Sequence, residues 1–448
     1  MINFAKNAKT LFYLGGKDGD TPDNSGVTLT IVLFAIIFFF IAAIIMFLVY
    51  SKLNLKSTRS QHNNEFSGET LISEYRDKDS FVETSDSGVA VSNSRIGTKT
   101  RRFNPNQDIK RQAKLLPYNT KRNIPRTLFT VTDQIGFGNF GEVSKGEVIG
   151  LYSENSRTTV AIKSINGPAE GIELRDFLHE IKIMSYIKPH LNLVSMIGSC
   201  CSDTQHAREM YLLIEFCHYG DLRTYLIENK NQIISNEQDG TLNDRVLVYW
   251  AYEIAKGMEY LSQNNIMHGD LAARNILLDE NLIRSGNPVA KIADFGLSKK
   301  FYDNVNYEKE SRLYVPWKWM ALEYLKNDYF TLTSDVWSFG IVLWEILSFC
   351  RVPYGHQEYD EVLKKLEEGY RLPCPEDINI ISNWSPQNLY EDIAKDCFTE
   401  DPKKRGTFSK IVAVIENHLT KEELSFHTKV TEKYHDERCT KYMKLGQI

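Results

Sequence analysis

The sequence has little of what marks nucleic-acid-binding, zinc-binding and disulfide-rich proteins. Its 53 lysines and arginines are outnumbered by 58 aspartates and glutamates, and the formal net charge of −5 at pH 7 predicts no nucleic-acid partner. The seven cysteines all lie after residue 199, and no two of them have C-x-x-C spacing, which argues against the common zinc motifs. If this part of the chain is cytosolic, no disulfide framework is expected.

Charge is also missing from one long stretch near the N-terminus. Residues 27–50 form a run of 24 residues without a charge, enough for one tilted transmembrane helix. A buried core helix rarely runs this long without a charge, and the apolar core of a signal peptide is usually half this length. Because aspartates precede the run and basic residues follow it, the positive-inside rule predicts a short extracellular segment, 1–26, and a single-pass protein of the plasma membrane with a cytoplasmic main part.

Residues 51–128 lack long apolar periodicity and mix serine, threonine, asparagine and charged residues. Fifteen basic and eight acidic residues give this segment a net charge of +7. We therefore predict a disordered juxtamembrane linker. It either lies against an anionic inner leaflet or is simply solvated, and the composition fits both.

A glycine-rich motif opens the next part of the chain. Gly136, Gly138, Gly141 and Val143 fit the pattern G-x-G-x-x-G-x-V, in which glycines let a backbone approach phosphates closely. Such a motif also opens dinucleotide-binding units, but there a helix must follow it directly. Alternating residues follow here, so the pattern predicts a strand hairpin over a nucleotide.

Two charged residues downstream are predicted to pair. Lys163 ends the apolar stretch Val-Ala-Ile-Lys, and a lysine in such a strand needs a partner. Glu180 is the best candidate, because the apolar residues around it have helical spacing. Either residue alone would ordinarily be a solvated surface charge.

A group of hard oxygen donors follows in the middle of the chain. Asp270 and Asn275 are five residues apart, and Asp294 precedes a phenylalanine and a glycine. Asp270 is suited to accept a proton from a substrate hydroxyl, while Asn275 and Asp294 are suited to bind Mg²⁺. Taken alone, the Asp270–Asn275 spacing also fits an ordinary polar turn.

In this order, the motifs make residues 129–419 resemble a protein kinase catalytic domain. The resemblance implies an α+β, bilobal fold with a small β-rich N-lobe and a large helical C-lobe, behind a single transmembrane helix. It implies ATP and Mg²⁺ as cofactors, Asn275 and Asp294 as metal ligands, and a catalytic set of Asp270, Lys163, Glu180, Arg274 and Asn275. The implied nucleotide-binding residues are Ile135, Gly136, Phe137, Gly138, Asn139, Phe140, Gly141, Glu142, Val143, Ala161, Lys163, Glu215, Cys217 and Leu277.

Within that family the sequence is similar to receptor tyrosine kinases, and to nematode members with a very short extracellular segment. Ala272 stands where serine/threonine kinases carry a lysine, and Arg274 fits the tyrosine-specific version of the loop. The implied function is transfer of the ATP γ-phosphoryl group to protein tyrosine in signalling. The implied partners are protein tyrosine substrates, SH2-type adaptors at phosphotyrosines and a second copy of the chain, with Tyr302 and Tyr307 as candidate autophosphorylation sites.

The sequence also departs from the family pattern. Gly269 replaces the arginine that normally precedes the catalytic aspartate, Leu322 replaces a proline before Glu323, and residues 284–288 resemble an inserted loop. These departures motivate an alternative, an inactive kinase that acts as a membrane-anchored scaffold. In the family, Arg405 pairs with Glu323, and an aspartate at position 335 braces the catalytic loop. Residues 420–448 read as a frayed polar tail, in which Tyr434 and Tyr442 are possible docking tyrosines.

Overall fold

The computed structural model describes residues 103–138, 141–153, 155–165, 172–204, 207–235, 243–283, 287–294, 316–376 and 385–445. The predicted extracellular segment, the predicted transmembrane run 27–50 and the tyrosines Tyr302 and Tyr307 lie outside these ranges. Across the ranges that are described, helices are either too short or too polar to cross a bilayer.

The first lobe is an antiparallel sheet of five strands in the order β1-β2-β3-β5-β4. The strands are β1 (Phe129–Gly138), β2 (Gly141–Ile149), β3 (Arg157–Ser164), β4 (Met196–Thr204) and β5 (Ala207–Glu215). Burial alternates along β2, as expected for a strand with one face on a core. One long helix, α1 (Ile172–Tyr186), belongs to this lobe and carries Glu180.

The second lobe is helical. Its helices are α2 (Leu222–Ser235), α3 (Arg245–Gln263), α4 (Leu322–Asn327), α5 (Leu332–Leu347), α6 (Tyr359–Glu367), α7 (Pro386–Cys397), α8 (Phe408–Glu416) and α9 (Lys421–Leu445). The short strands β6 (Ile276–Asp279) and β7 (Val289–Ile292) form an antiparallel pair. Strand β6 directly follows residues 268–275, the predicted catalytic loop. Helix α5 is buried from Ser334 to Leu347 and forms the centre of this lobe. The predicted bilobal α+β fold is confirmed.

The described end of the predicted linker is folded, so the prediction of disorder is wrong for residues 103–128. Lys110–Leu115 forms a 3-10 helix, and Ile109, Ala113 and Leu116 are buried in the same core cluster as the catalytic lobe. Three apolar residues at this spacing, set among charged ones, were too weak a pattern to predict a packed segment from sequence.

The C-terminal end is also folded, and the prediction of a frayed tail is wrong for its described part. Helix α9 buries His427, Val430 and Tyr434, which lie three and four residues apart on one face. The Tyr434 hydroxyl is 2.7 Å from Ser195 Oγ. Tyr434 is therefore a packing residue in this structure, with a buried ring that a docking partner cannot reach. The side chain of Tyr442 lies outside the described part.

Candidate active site

The glycine-rich motif forms the predicted hairpin. Strands β1 and β2 pair in antiparallel register up to Gly138 opposite Gly141, and Asn139 and Phe140 lie outside the described residues. A Cβ atom added to Gly136 would meet no atom within 4 Å. Packing within the protein therefore does not require glycine at this position, and the open space suits the close approach of a phosphate.

Lys163 lies at the centre of a charged group in the cleft. Its Nζ donates to Glu180 Oε1 at 2.8 Å and to Asp294 Oδ1 at 3.4 Å, so the predicted ion pair is present. Burial alone would lower the pKa of Lys163, but the carboxylates of Asp294 and Glu180 together raise it above its ordinary value. Asp294 has a φ of +61°, a left-handed conformation that favours glycine and is often found at functional sites.

The Asp270 carboxylate is held by two neighbours from its own loop. Arg274 donates to Asp270 Oδ1 at 2.6 Å, and the amide nitrogen of Asn275 donates to Oδ2 at 2.7 Å. Burial raises the pKa of Asp270 to about 6, and Arg274 and Asn275 oppose that rise. The arrangement suits a general base, because the carboxylate is oriented and its pKa lies close to neutral pH.

The backbone of the loop is fixed by Asp335 from α5. Its Oδ2 accepts the N–H of His268 at 2.7 Å, and its Oδ1 accepts the N–H of Gly269 at 2.8 Å. This is the bracing that the family resemblance implied. Gly269 has a φ of +81°, so a glycine adopts this conformation without the strain that another residue would carry.

His268 links the loop to the strand before Asp294. Burial lowers the pKa of His268 to about 3, so the ring is neutral. Its Nδ1 accepts the N–H of Asp270 at 3.2 Å, and its Nε2 is 2.9 Å from the carbonyl oxygen of Ala293. The neutral ring therefore carries its proton on Nε2.

The residues predicted to contact adenine come together between the lobes. Ala161 pairs with Ile214 across the sheet, and Val143 and Leu277 pack against the same core. The N–H of Glu215 donates to the carbonyl of Ser195, so adenine recognition at Glu215 has to use its carbonyl oxygen. Cys217 is buried beside this position, and Phe137, in the hairpin above, is 77% exposed.

The donor set fits ATP with Mg²⁺. Because the Asn275 amide nitrogen donates to the carbonyl and the carboxylate of Asp270, Asn275 Oδ1 is the atom left to hold a cation together with Asp294. Two protein ligands suffice for Mg²⁺, which keeps several waters and substrate phosphate oxygens. Among the residues that the structure describes, Glu180 Oε2 is buried with no hydrogen-bond partner.

Sequence reasoning missed Glu345 in α5, which also belongs to this site. It is 2% exposed, and its Oε2 accepts both the N–H of Ala273 and the indole N–H of Trp319 at 2.9 Å. The Arg274 guanidinium lies 4.6 Å above the Trp319 ring. Glu345 thus ties the loop that carries Arg274 to the Trp317–Trp319 turn. The available signal was an acid set among the apolar residues of the second half of α5, since a buried acid needs partners.

A buried ion pair fixes the start of α4. Arg405 and Glu323 pair through both guanidinium nitrogens, as the resemblance implied, and Ser334 donates to the same carboxylate at 2.8 Å. Leu322, which replaces the usual proline, is 1% exposed in α4 and takes up a core position. Of the predicted inserted loop 284–288, residues 284–286 lie outside the described part of the chain.

A comparison with known families decides the assignment. Residues 129–415 match the family described as protein tyrosine and serine/threonine kinase. The chain belongs to this family. The match covers the hairpin, the Lys163–Glu180 pair, the Asp270 loop and the Arg405–Glu323 pair, and it leaves out both the folded segment before residue 129 and helix α9.

Several curated relatives of this kinase are receptors. The tyrosine kinase receptor Cad96Ca of Drosophila melanogaster is 33% identical over 298 residues, which are 66% of this chain and 36% of the relative. The fibroblast growth factor receptor of Halocynthia roretzi is 33% identical over 314 residues, and the mast/stem cell growth factor receptor Kit of Gallus gallus is 31% identical over 371. This chain spans 39% and 37% of those two relatives.

Proposed function

We propose that this kinase is a receptor-like protein tyrosine kinase that transfers the ATP γ-phosphoryl group to a tyrosine hydroxyl. The observation that carries the proposal is the Asp270 carboxylate, held at 2.6 Å by Arg274 and at 2.7 Å by Asn275. A carboxylate so oriented suits proton transfer, and the Lys163–Glu180 pair supplies a cation suited to bind phosphates.

Each of these residues has a role in the proposed reaction. The tyrosine oxygen bonds to the γ-phosphorus as the bond from that phosphorus to the β–γ bridging oxygen breaks, and ADP leaves. The tyrosine proton passes to Asp270, and Arg274 keeps that carboxylate oriented. Lys163 holds phosphate oxygens, and Mg²⁺, when bound, neutralises charge that develops on them. Positioning and electrostatics supply most of the rate.

Tyrosine specificity is supported by the loop and by the turn beside it. Ala272 gives no cation next to Asp270, where serine/threonine kinases carry a lysine. Arg274 instead stacks on Trp319, which Glu345 fixes through its indole N–H. This flat, rigid surface beside the base suits a phenol ring, whose hydroxyl extends further from its backbone than a serine hydroxyl does.

The sequence and the relatives support a membrane setting for the enzyme. The uncharged run 27–50 and the receptor names of the relatives support a single-pass protein of the plasma membrane with a cytoplasmic kinase domain. Phosphorylation of Tyr302 and Tyr307 would add charge to the loop after Asp294. Adaptors of the SH2 type would bind such phosphotyrosines, and two chains in one membrane would phosphorylate each other.

The second candidate is an inactive, membrane-anchored scaffold, which Gly269 favours because the arginine usual at this position is missing. The complete group of Lys163, Glu180, Asp270 and Asn275 argues against it.

One experiment separates the two candidates. Purified full-length protein is incubated with Mg-ATP and a tyrosine-containing polymer, beside Asp270→Asn and the control Asp328→Asn. Asp328 is exposed and left-handed at φ +53°, a conformation that asparagine tolerates. We expect phosphotyrosine from the wild type and the control only. ATP binding without transfer in all three proteins would favour the scaffold, and phosphoserine as the product would refute tyrosine specificity.

A further inference from the structure

The segment before the catalytic domain brings a buried cation to the catalytic loop. Lys110 lies outside the region 129–415 that matches the family, yet its side chain is only 3% exposed. Its Nζ donates to the carbonyl oxygen of His268 at 2.7 Å. That carbonyl belongs to the peptide group between His268 and Gly269, one peptide group away from the proposed general base Asp270.

The same peptide group is held from its other side. The N–H of Gly269 donates to the buried Asp335 at 2.8 Å, so a cation binds the oxygen of this peptide and an anion binds its hydrogen. Both are charge-assisted hydrogen bonds, which are shorter and stronger than neutral ones. The N–H of Asp270 donates back to the His268 ring. A shift of this peptide would therefore move the base.

Lys110 is itself anchored by the segment around it, residues 104–116, which we call the docking segment. Ile109 is fully buried, and its N–H donates to the carbonyl of Asn265, three residues before His268. At the other end, the Lys182 ammonium of α1 donates to the carbonyl of Lys114 at 3.5 Å. The docking segment thus bridges the catalytic loop and the helix that carries Glu180.

The charges around Lys110 explain why a lysine is stable there. Burial lowers the pKa of Lys110 to about 8, and the carboxylates of Asp335, Asp108, Asp294 and Glu180 oppose that fall. Asp335 lies in α5, Asp108 in the docking segment, Asp294 two residues after β7 and Glu180 in α1. Without a cation, several acids would face one another in a poorly solvated region, which disfavours their charged forms.

We propose that Lys110 is a positioning residue for phosphoryl transfer: its buried ammonium group, supplied by the docking segment, fixes the His268–Gly269 peptide of the catalytic loop. This inference rests on the proposed kinase activity and adds a regulatory element to the same site. Docking of residues 104–116 then aligns Asp270, and events that release the segment lower the rate of transfer.

The test compares four full-length proteins: wild type, Lys110→Met, Lys110→Arg and Lys114→Met. The Lys114 side chain is exposed in the same 3-10 helix, so Lys114→Met is a matched control. The concentration of folded enzyme is taken from the stoichiometry of ATP binding. We expect Lys110→Met to lower kcat roughly 100-fold, the scale of a 1 Å misplacement, with the KM for ATP unchanged. Lys110→Arg should recover most of kcat, and Lys114→Met should behave as wild type.

Each other outcome is decisive. A wild-type kcat in folded Lys110→Met overturns the inference while leaving the proposed function intact. An equal loss in Lys110→Arg and Lys110→Met also overturns it, because the charge would then not matter. If Lys110→Met does not fold, Lys110→Gln, which keeps a donor without charge, replaces it and must show the same loss of kcat. A wild type that binds ATP without transferring phosphate overturns the proposed function and this inference together.

Discussion

The guanidinium of Arg405 donates hydrogen bonds to both carboxylate oxygens of Glu323, at 2.7 and 2.8 Å, although the two residues are 82 positions apart. The Arg405 side chain is fully buried, and that of Glu323 is 9% exposed. The pair joins the start of α4 to the loop before α8. This bidentate geometry fixes the relative orientation of the two side chains as well as their distance.

Removing one partner of this pair should be costly. We expect Arg405→Met to lower the free energy of unfolding by about 3–5 kcal/mol, because it leaves the Glu323 carboxylate buried without its cation. Urea denaturation monitored by fluorescence measures the change. The double variant Arg405→Met/Glu323→Leu should recover much of the loss. A double variant no more stable than Arg405→Met would show that the buried charge is not the cause.

Two glycines of the N-lobe sheet should respond in opposite ways. A Cβ at Gly136 enters open space, whereas a Cβ at Gly146 would lie 2.4 Å from both the Ile162 side chain and the Thr130 carbonyl. We expect Gly136→Val to weaken ATP binding at least about tenfold, a loss of about 1.4 kcal/mol, with an unchanged melting temperature. Gly146→Ala should lower the melting temperature and leave ATP affinity of the folded protein unchanged. Calorimetry and a binding titration separate the two effects, and a melting temperature lowered equally by both would contradict this.

If Asp270 is the general base, as we propose, the reaction should have an acid limit. Burial raises the pKa of Asp270 to about 6, and a base must be ionised, so kcat/KM should fall as the pH drops through about 6. Arg274 favours the ionised form, and Arg274→Met should therefore move this limit to higher pH as well as lowering the maximum rate. A pH profile of kcat/KM measures both, and an unmoved limit in Arg274→Met would argue against Asp270 as the titrating group.

Glu253 in α3 should make the fold less stable at high pH. Burial raises its pKa to about 8, above the ordinary 4.5, so the folded protein binds a proton that the unfolded chain releases. Its contribution is therefore fully present below pH 4.5 and is lost as the pH rises to 8. We expect Glu253→Gln to flatten this decline and to be more stable than wild type at pH 8 by more than about 1 kcal/mol. Unfolding free energies at several pH values test this, and parallel curves would refute it.

The packing of helix α9 should depend on the hydroxyl group and the aromatic ring of Tyr434. Tyr434→Phe removes the hydrogen bond to Ser195 and should reduce stability by about 1 kcal/mol. Tyr434→Ala also empties a buried site and should cost about 3–5 kcal/mol. Hydrogen exchange in residues 421–437 should rise strongly in the alanine variant and slightly in Tyr434→Phe. Unchanged exchange in both would mean that helix α9 docks without this tyrosine.

The sequence predicted those parts of the site whose chemistry is local. A lysine in an apolar strand requires an acid, and helical spacing pointed to Glu180; the structure places the two at 2.8 Å. Asp270 and Asn275 are five residues apart and can lie in one short loop, so their spacing predicted the contact between their side chains.

Contacts between distant parts of the chain could not be predicted in this way. Lys110 meets His268 across 158 residues, and Tyr434 meets Ser195 across 239. A lysine among polar neighbours reads as solvated, because only the tertiary structure supplies the carbonyl and the carboxylates that stabilise its burial. Among the described side chains of α9, only Val430 and Tyr434, with His427, form the buried stripe, which is too narrow to stand out among the polar residues of this helix.

The docking segment and α9 limit how freely this kinase domain could be exchanged between proteins. A chimera that joined residues 129–415 to foreign flanking sequences would leave the sites of Ile109 and Tyr434 empty. It would carry wild-type catalytic residues and still behave as though its catalytic loop had been mutated. Inherited substitutions in residues 104–116 would have the same effect. They would alter the active site although they lie outside residues 129–415, the part that matches the kinase family.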